Sequence, residues 1–172
     1  AVSAIKLTSK RVLVQDMNCI ETLARVDVLC VDKTGTITEP HMQLENIIPL
    51  SNDSPERLEQ ILTALYGSTP PENDTGRALA ELFNKVSTWQ CQYRIPFTSA
   101  TKWSAGVFKG EGAFLTGAPE FIMQERYDEI RESVEPWTSK GYRVLLASAY
   151  EGDPQPGQLI PERLTPLALT VL

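Results

Sequence analysis

The pattern of apolar and polar positions divides the chain into two ends and a middle. Residues 26–31 and residues 167–172 are nearly continuous apolar runs, which is typical of strands buried on both faces of a parallel sheet. Between them, helical periodicity alternates with short strand-like segments separated by Pro-rich and Gly-rich breaks. This order predicts a domain inserted into the sheet of a host domain.

The middle of the chain predicts alternating helices and strands of an antiparallel α+β domain. Ser54 followed by Pro55 is typical of a helix start, and Gly141 of a helix end. The turn at residues 109–112 joins two strand-like segments as a hairpin. Helices are predicted at residues 54–66, 75–86, 119–125 and 127–140, and strands at residues 42–50, 89–95, 103–108, 112–115 and 143–150.

We therefore predict an α/β (α+β) fold in which an antiparallel sheet flanked by helices is inserted between pieces of a parallel sheet. The inserted domain is expected to span residues 39–164. Residues 1–38 are expected to belong to the host, and residues 165–172 to form the strand that returns to it.

Composition narrows the possible functions. The 172 residues carry a net charge of -6 with 42% hydrophobic residues, which is typical of a folded domain and unfavourable for binding nucleic acid. No apolar run approaches the roughly 20 residues of a membrane helix, so no membrane contact is expected. Cys19, Cys30 and Cys91 form no C-x-x-C pair and are expected to be buried, reduced thiols.

The strongest candidate for chemistry is Asp32, which directly follows the apolar run at residues 26–31. Ligands of open α/β sheets bind at the carboxyl ends of strands. A carboxylate there can act as a nucleophile, Gly35 permits a tight turn whose N–H groups hold phosphate oxygens, and Thr34 and Thr36 add hydroxyls. Alone, an aspartate and a threonine would more simply end a strand and cap a turn.

Residues 32–38, Asp-Lys-Thr-Gly-Thr-Ile-Thr, resemble the phosphorylation signature of P-type ATPases, which share the haloacid-dehalogenase (HAD-like) fold. The resemblance implies that Asp32 is phosphorylated, within a motif that includes Lys33. Phosphatases of that superfamily place a second aspartate two positions later, where this chain has Thr34. A threonine is a poor general base at neutral pH, so the resemblance favours a pump over a phosphatase.

Residues 96–104 resemble the nucleotide-site segment of the same family. The resemblance implies that Phe97 stacks on adenine and that Lys102 approaches the phosphates. An aromatic face beside a cation suits a purine that carries negative charge. Taken singly, Phe97 is equally consistent with a core residue and Lys102 with a solvated one.

Two further segments complete the resemblance to the nucleotide-binding domain. Thr116, Gly117 and Ala118 begin a stretch similar to the family's Lys-Gly-Ala-Pro-Glu, which lines the adenine pocket, with Thr116 in place of the lysine. Arg143 matches the arginine of a Gly-x-Arg segment that reaches the phosphates. The helix predicted at residues 75–86 lacks the acid that the family often places near adenine.

The resemblance implies that the parent protein uses ATP and Mg²⁺, with Asp32 and Thr34 supplying part of the Mg²⁺ site. The remaining ligands lie in later motifs that nothing here matches, so this stretch alone is expected to bind ATP or ADP and to be essentially inactive. The expected partners are the membrane and actuator domains of its own pump. The parent is expected in the plasma membrane, with this region cytoplasmic and calcium the suggested ion. A HAD-superfamily phosphatase fragment and a non-catalytic nucleotide-sensing or interaction module stay open as alternatives.

Overall fold

The computed structural model divides the chain into two compact units, Ala1–Pro40 and His41–Leu172. It describes residues 2–13, 15–16, 18–32, 36–37, 42–67, 71 and 74–172.

Among the described residues of the first unit there are two short helices, α1 (Val2–Ser9) and α2 (Asn18–Leu23). The strand predicted at residues 26–31 is wrong: these residues have no regular secondary structure and are exposed. Val28 and Leu29 are 72% and 78% exposed. A parallel strand needs a hydrogen-bonded neighbour, and no strand occurs among the described residues of this unit. The apolar run therefore has nothing to pair with there.

The second unit is built on one six-stranded sheet. Its strands are β1 (Asn46–Pro49), β2 (Cys91–Ile95), β3 (Trp103–Phe108), β4 (Gly112–Gly117), β5 (Val144–Tyr150) and β6 (Leu164–Val171). They lie in the order β1-β6-β5-β4-β3-β2, and every neighbouring pair is antiparallel. The predicted antiparallel sheet flanked by helices is confirmed.

Helices cover both faces of this sheet and create two hydrophobic clusters. Helices α3 (Pro55–Gly67) and α4 (Asp74–Leu82) lie on one face, where Leu62 and Leu79 pack against Phe108 and Phe114. Helices α5 (Pro119–Met123) and α6 (Arg131–Thr138) lie on the other, around Leu146. We call these the α3–α4 face and the α5–α6 face.

The prediction that residues 165–172 return to a parallel sheet is wrong. These residues fall largely within β6, which pairs antiparallel with both β1 and β5. Ala168 contributes to the cluster on the α3–α4 face and Leu169 to the cluster on the α5–α6 face. A continuous apolar run thus reports that both faces of a strand are covered, which is common in parallel sheets but also holds for this antiparallel strand.

Local signals in the sequence explain several element boundaries. Ser54 caps α3, since its hydroxyl oxygen accepts a hydrogen bond from the Arg57 N–H at 3.2 Å. Gly110 and Gly112 adopt φ of 77° and 100° in the β3–β4 hairpin, a region that glycine enters without strain. Helix α4 ends at Leu82, earlier than predicted.

The expectation of buried cysteines is wrong, because Cys30 is exposed and Cys19 and Cys91 are only partly buried. Cys30 lies in the unpaired run of residues 26–31, where no sheet covers it. Within the described ranges, no helix is long and apolar enough to cross a bilayer.

Candidate functional site

One end of the sheet brings together the segments singled out between residues 97 and 143. Trp103, the first residue of β3, lies opposite Gly117, the last residue of β4, and Gly117 lies opposite Leu146 near the start of β5. Lys102 directly precedes β3 and Arg143 directly precedes β5. Antiparallel pairing therefore places side chains from distant parts of the sequence at the same end of the sheet.

Lys102 connects two of these segments through its backbone. Its N–H donates to the Thr98 carbonyl at 2.9 Å, closing the loop that carries Phe97. Its carbonyl accepts a hydrogen bond from the Ala118 N–H, also at 2.9 Å. Lys102 has a φ of 60°, which is uncommon for a residue with a side chain and typical of constrained positions. Phe97 and Lys102 are both partly buried.

Gly117 is the point of closest approach between the two segments. A Cβ atom at this position would lie 2.3 Å from the Lys102 carbonyl oxygen and 2.6 Å from the Trp103 Cα. Both distances are far inside van der Waals contact. Only glycine lets β4 end this close to the loop that carries Phe97 and Lys102.

Thr116 is 7% exposed on the α3–α4 face. Its Oγ1 lies 2.6 Å from the hydroxyl of Tyr66, the next-to-last residue of α3. Burial raises the pKa of Tyr66, and its hydrogen bond with Thr116 opposes that rise to a lesser extent. The phenol is therefore neutral at physiological pH and can donate to Thr116. Thr116, which stands at the position of the family's lysine, thus forms its hydrogen bond with a residue inside the protein.

Arg143 is exposed at the opening of the same end of the sheet. Its backbone pairs with Leu172 in both directions, at 2.9 and 2.8 Å, so its Cα is fixed. Its guanidinium donates to the Thr75 hydroxyl in the first turn of α4. This contact fixes a long cation whose free rotation would otherwise oppose ligand binding.

The sequence patterns missed Tyr66 and Thr75. The amphipathic spacing of α3 shows that Tyr66 faces the sheet, but nothing in that spacing identifies Thr116, 50 residues away, as its partner. The predicted helix that begins at Thr75 lacks an acid at this point, so its sequence carries no signal for a contact with the site. The sequence predicts a helix start at Thr75 and a strand start at Arg143, but only the three-dimensional structure shows that these two side chains meet.

Comparisons with known proteins show what the chain is similar to. It is 40% identical over 145 residues, 84% of its length, to a probable cation-transporting ATPase of Streptococcus pneumoniae. It is 36% identical over its whole length to the calcium-transporting ATPase CtpE of Mycobacterium bovis, and 33% identical to that of Mycolicibacterium smegmatis. The chain belongs to the P-type cation-transporting ATPases. It spans 18% of the first relative's length and 22% of the second's. No protein-family model matches it.

The segment that resembles the family's phosphorylation signature, residues 32–38, lies in the other unit, Ala1–Pro40. Asp32 and Thr36 are both exposed to solvent. Lys33, Thr34 and Gly35 lie outside the described residues. Among the residues that are described, no group of three His, Cys, Asp or Glu side chains comes together. Mg²⁺ requires several oxygen ligands. Thr34, the other ligand that the resemblance implies, lies outside the described residues, so the partial Mg²⁺ site of Asp32 and Thr34 stays a prediction.

Proposed function

We propose that the unit His41–Leu172 binds ATP or ADP at the end of the sheet formed by the start of β3, the end of β4 and the start of β5. The single observation that carries this proposal is the hydrogen bond from the Ala118 N–H to the Lys102 carbonyl, 2.9 Å long. It joins the two segments that resemble the family's nucleotide site. The need for glycine at position 117 shows that this approach is built into the sequence.

The side chains at this end of the sheet have the chemistry needed to bind a nucleotide. Phe97 offers an aromatic face on which adenine stacks, and each such stack is worth about 1 to 3 kcal/mol. Lys102 and Arg143 supply two cations. The guanidinium of Arg143 is held in place by its hydrogen bond to the Thr75 hydroxyl. Phosphate oxygens prefer such charge-assisted donors. Gly117 and Ala118 present backbone without bulky side chains, which lets a flat base approach closely.

For the parent protein we propose phosphoryl transfer to Asp32, coupled to cation transport. A carboxylate oxygen of Asp32 attacks the γ-phosphorus, the bond from that phosphorus to the bridging oxygen breaks, and ADP leaves. Asp32 and Thr34 would hold part of a Mg²⁺ site in the parent, and a metal bound there would neutralise charge on the transferring group. Thr34 is a poor general base, so the acyl phosphate persists instead of being hydrolysed at once. The described residues do not complete a metal site.

The relatives' names extend this proposal to the whole parent. Two of them are named calcium-transporting ATPases, so we propose calcium as the transported ion. The parent is proposed to lie in the plasma membrane, with this region on the cytoplasmic side, acting with its own membrane and actuator domains. The same names favour an ATPase over a HAD-superfamily phosphatase or a non-catalytic interaction module.

Titration of the chain with ATP, ADP and AMP, followed by amide chemical shifts, tests nucleotide binding. We expect shifts at Lys102, Gly117 and Ala118. Phe97→Ala should weaken binding of all three nucleotides by about tenfold or more, because all share the base that stacks. Tyr93→Ala is the matched control. Tyr93 is a 48% exposed aromatic that lies opposite Val107, a residue packed into the α5–α6 face. Equal effects of the two substitutions would contradict the proposed site.

The transfer step is tested in the full-length parent. Given Mg-ATP and calcium, it should form an acid-stable, hydroxylamine-sensitive acyl phosphate, and Asp32→Asn should abolish this product. Absence of that product from the unaltered parent would contradict the proposed chemistry, while leaving nucleotide binding by the second unit intact.

A further inference from the structure

The hydrogen bond between Tyr66 and Thr116 lies directly behind the candidate nucleotide site. Tyr66 is 7% exposed and its ring packs against Phe83 with centroids 5.4 Å apart. Its hydroxyl reaches the Thr116 Oγ1 at 2.6 Å. A buried tyrosine hydroxyl needs a partner, and here that partner belongs to β4 and not to the helix that carries Tyr66.

The bond acts on the strand end that forms the site. Thr116 directly precedes Gly117, whose backbone has almost no clearance from the Lys102 carbonyl. Across the strand pair, Thr116 lies opposite Ser104 on β3 and Ala147 on β5. A displacement of Thr116 would therefore change the distance between the Gly117–Ala118 segment and the loop that carries Phe97.

The helix side of the bond is equally fixed. Tyr66 is followed by Gly67, where a Cβ atom would lie 2.6 Å from the Phe83 carbonyl oxygen. Helix α3 thus ends in direct contact with the residue that follows α4. Helix α4 in turn begins at the turn whose Thr75 holds Arg143. The Tyr66 hydroxyl therefore links the helix pair to the strand end that contacts Lys102.

We propose that Tyr66 is a positioning residue for the nucleotide site, acting through its hydrogen bond to Thr116 to hold the end of β4 against the Lys102 loop. This inference rests on the proposed nucleotide binding. It also gives a role to Thr116, whose hydroxyl is engaged by Tyr66 inside the protein. Affinity then depends on the hydroxyl pair as well as on the groups that contact the nucleotide.

The experiment removes the bond from each side while keeping the volume of both side chains. Tyr66→Phe and Thr116→Val each delete one hydroxyl, and Thr116→Ser retains it. Tyr150→Phe is the matched control, because Tyr150 is a buried tyrosine in the cluster on the α5–α6 face. Dissociation constants for ADP and AMP are measured from amide chemical-shift changes. The measurements use conditions in which the amide spectrum shows that each variant is folded.

We expect Tyr66→Phe and Thr116→Val each to weaken ADP and AMP binding about fivefold, the effect of one hydrogen bond of ordinary strength. The double variant should be no weaker than either single variant, since both remove the same bond. Thr116→Ser and Tyr150→Phe should stay within about twofold of the unaltered chain. Exchange of the Ala118 amide hydrogen should accelerate in the two weakened variants and not in Thr116→Ser.

The outcomes separate this inference from the function on which it rests. If the unaltered chain binds ADP and Tyr66→Phe binds it equally well, the positioning role is overturned and the nucleotide site stands. Fully additive losses in the double variant would also overturn it, because they indicate two independent packing effects. If the unaltered chain binds no nucleotide, the proposed function fails and this inference fails with it.

Discussion

The packing of individual residues determines which substitutions the candidate site can accept. The backbone at Gly117 passes so close to Lys102 that a single methyl group cannot be added without moving one strand end. Close-packed interiors transmit such displacements to their neighbours and do not absorb them locally. The site is therefore sensitive to substitutions that touch no ligand.

We predict that Gly117→Ala lowers the free energy of unfolding by about 3 kcal/mol, the range seen when a well-packed core receives extra atoms. The cause is the overlap of the new Cβ with the Lys102 carbonyl oxygen. Urea unfolding measures it. Gly110→Ala is the control, because a Cβ there has open space and only the positive φ opposes it, for a loss of about 1 kcal/mol. Equal losses would show that overlap at position 117 is unimportant.

A second residue-scale prediction concerns Ser148, which is fully buried in β5. Its hydroxyl has no hydrogen-bond partner among the described residues, so folding removes it from water without compensation. Ser148→Ala should raise the free energy of unfolding by about 1 kcal/mol. Thermal unfolding measures the gain, and Ser139→Ala, which removes an exposed hydroxyl, should change stability by less than about 0.5 kcal/mol. A destabilised Ser148→Ala variant would contradict this account.

At the scale of elements, the chain between β5 and β6 is held by one arginine. Arg126 donates to the carbonyl oxygens of Pro161 at 2.5 Å and Leu164 at 3.0 Å. Its Nε also forms an ion pair with Glu129 at 2.7 Å, which lowers the pKa of that carboxyl. A loop rich in Pro and Gly thus acquires a fixed path before β6 begins.

We predict that Arg126→Ala lowers the free energy of unfolding by about 2 kcal/mol, since two carbonyls lose a charged donor. Amide hydrogen exchange should accelerate at Arg163 and Leu164. Arg131→Ala is the control, because Arg131 pairs with the exposed carboxylates of Asp128 and Glu135, and surface pairs contribute about 0 to 1 kcal/mol. If the two variants behave alike, the carbonyl contacts contribute nothing beyond a surface ion pair.

Elements were more predictable from the sequence than the contacts between them. The strand predicted at residues 103–108 occurs as Trp103–Phe108, and Pro55 marks the start of α3. Local turn and cap chemistry sets these boundaries, so the sequence displays them. The direction of β6 could not be predicted, because an apolar run reports coverage of both faces and not the orientation of the neighbouring strands.

For the candidate site, too, single residues could be predicted from the sequence, but the contacts between distant residues could not. The motif predicts Gly117 at the nucleotide pocket, and the structure shows its backbone passing close to Lys102. Its approach to a nucleotide stays a prediction. The bond from Tyr66 to Thr116 joins residues 50 positions apart, and the contact from Thr75 to Arg143 joins residues 68 positions apart. Such pairs depend on sheet register and helix placement, which short-range patterns do not encode. The roles of the predicted nucleotide residues and of Asp32 stay predictions.

At the scale of the molecule, the candidate nucleotide site belongs to one of two compact units. Phe97, Lys102, Thr116 and Arg143 all lie in His41–Leu172, together with both hydrophobic clusters. The backbone pairing of Arg143 with Leu172 uses the final residue of the chain. Removal of residues 1–40 therefore takes away no strand of the sheet and no side chain of the site, whereas truncation at the other end removes part of both.

We predict that a chain lacking residues 1–40 retains the sheet and binds ADP with a dissociation constant within about twofold of the full chain, because every side chain proposed to contact the nucleotide lies in His41–Leu172. Amide spectra and ADP titration measure both properties. A chain lacking residues 164–172 is the control: it loses β6, which pairs with two strands, and should not fold. A large loss of ADP affinity in the first truncation, with the sheet intact, would show that residues 1–40 contribute to the nucleotide site.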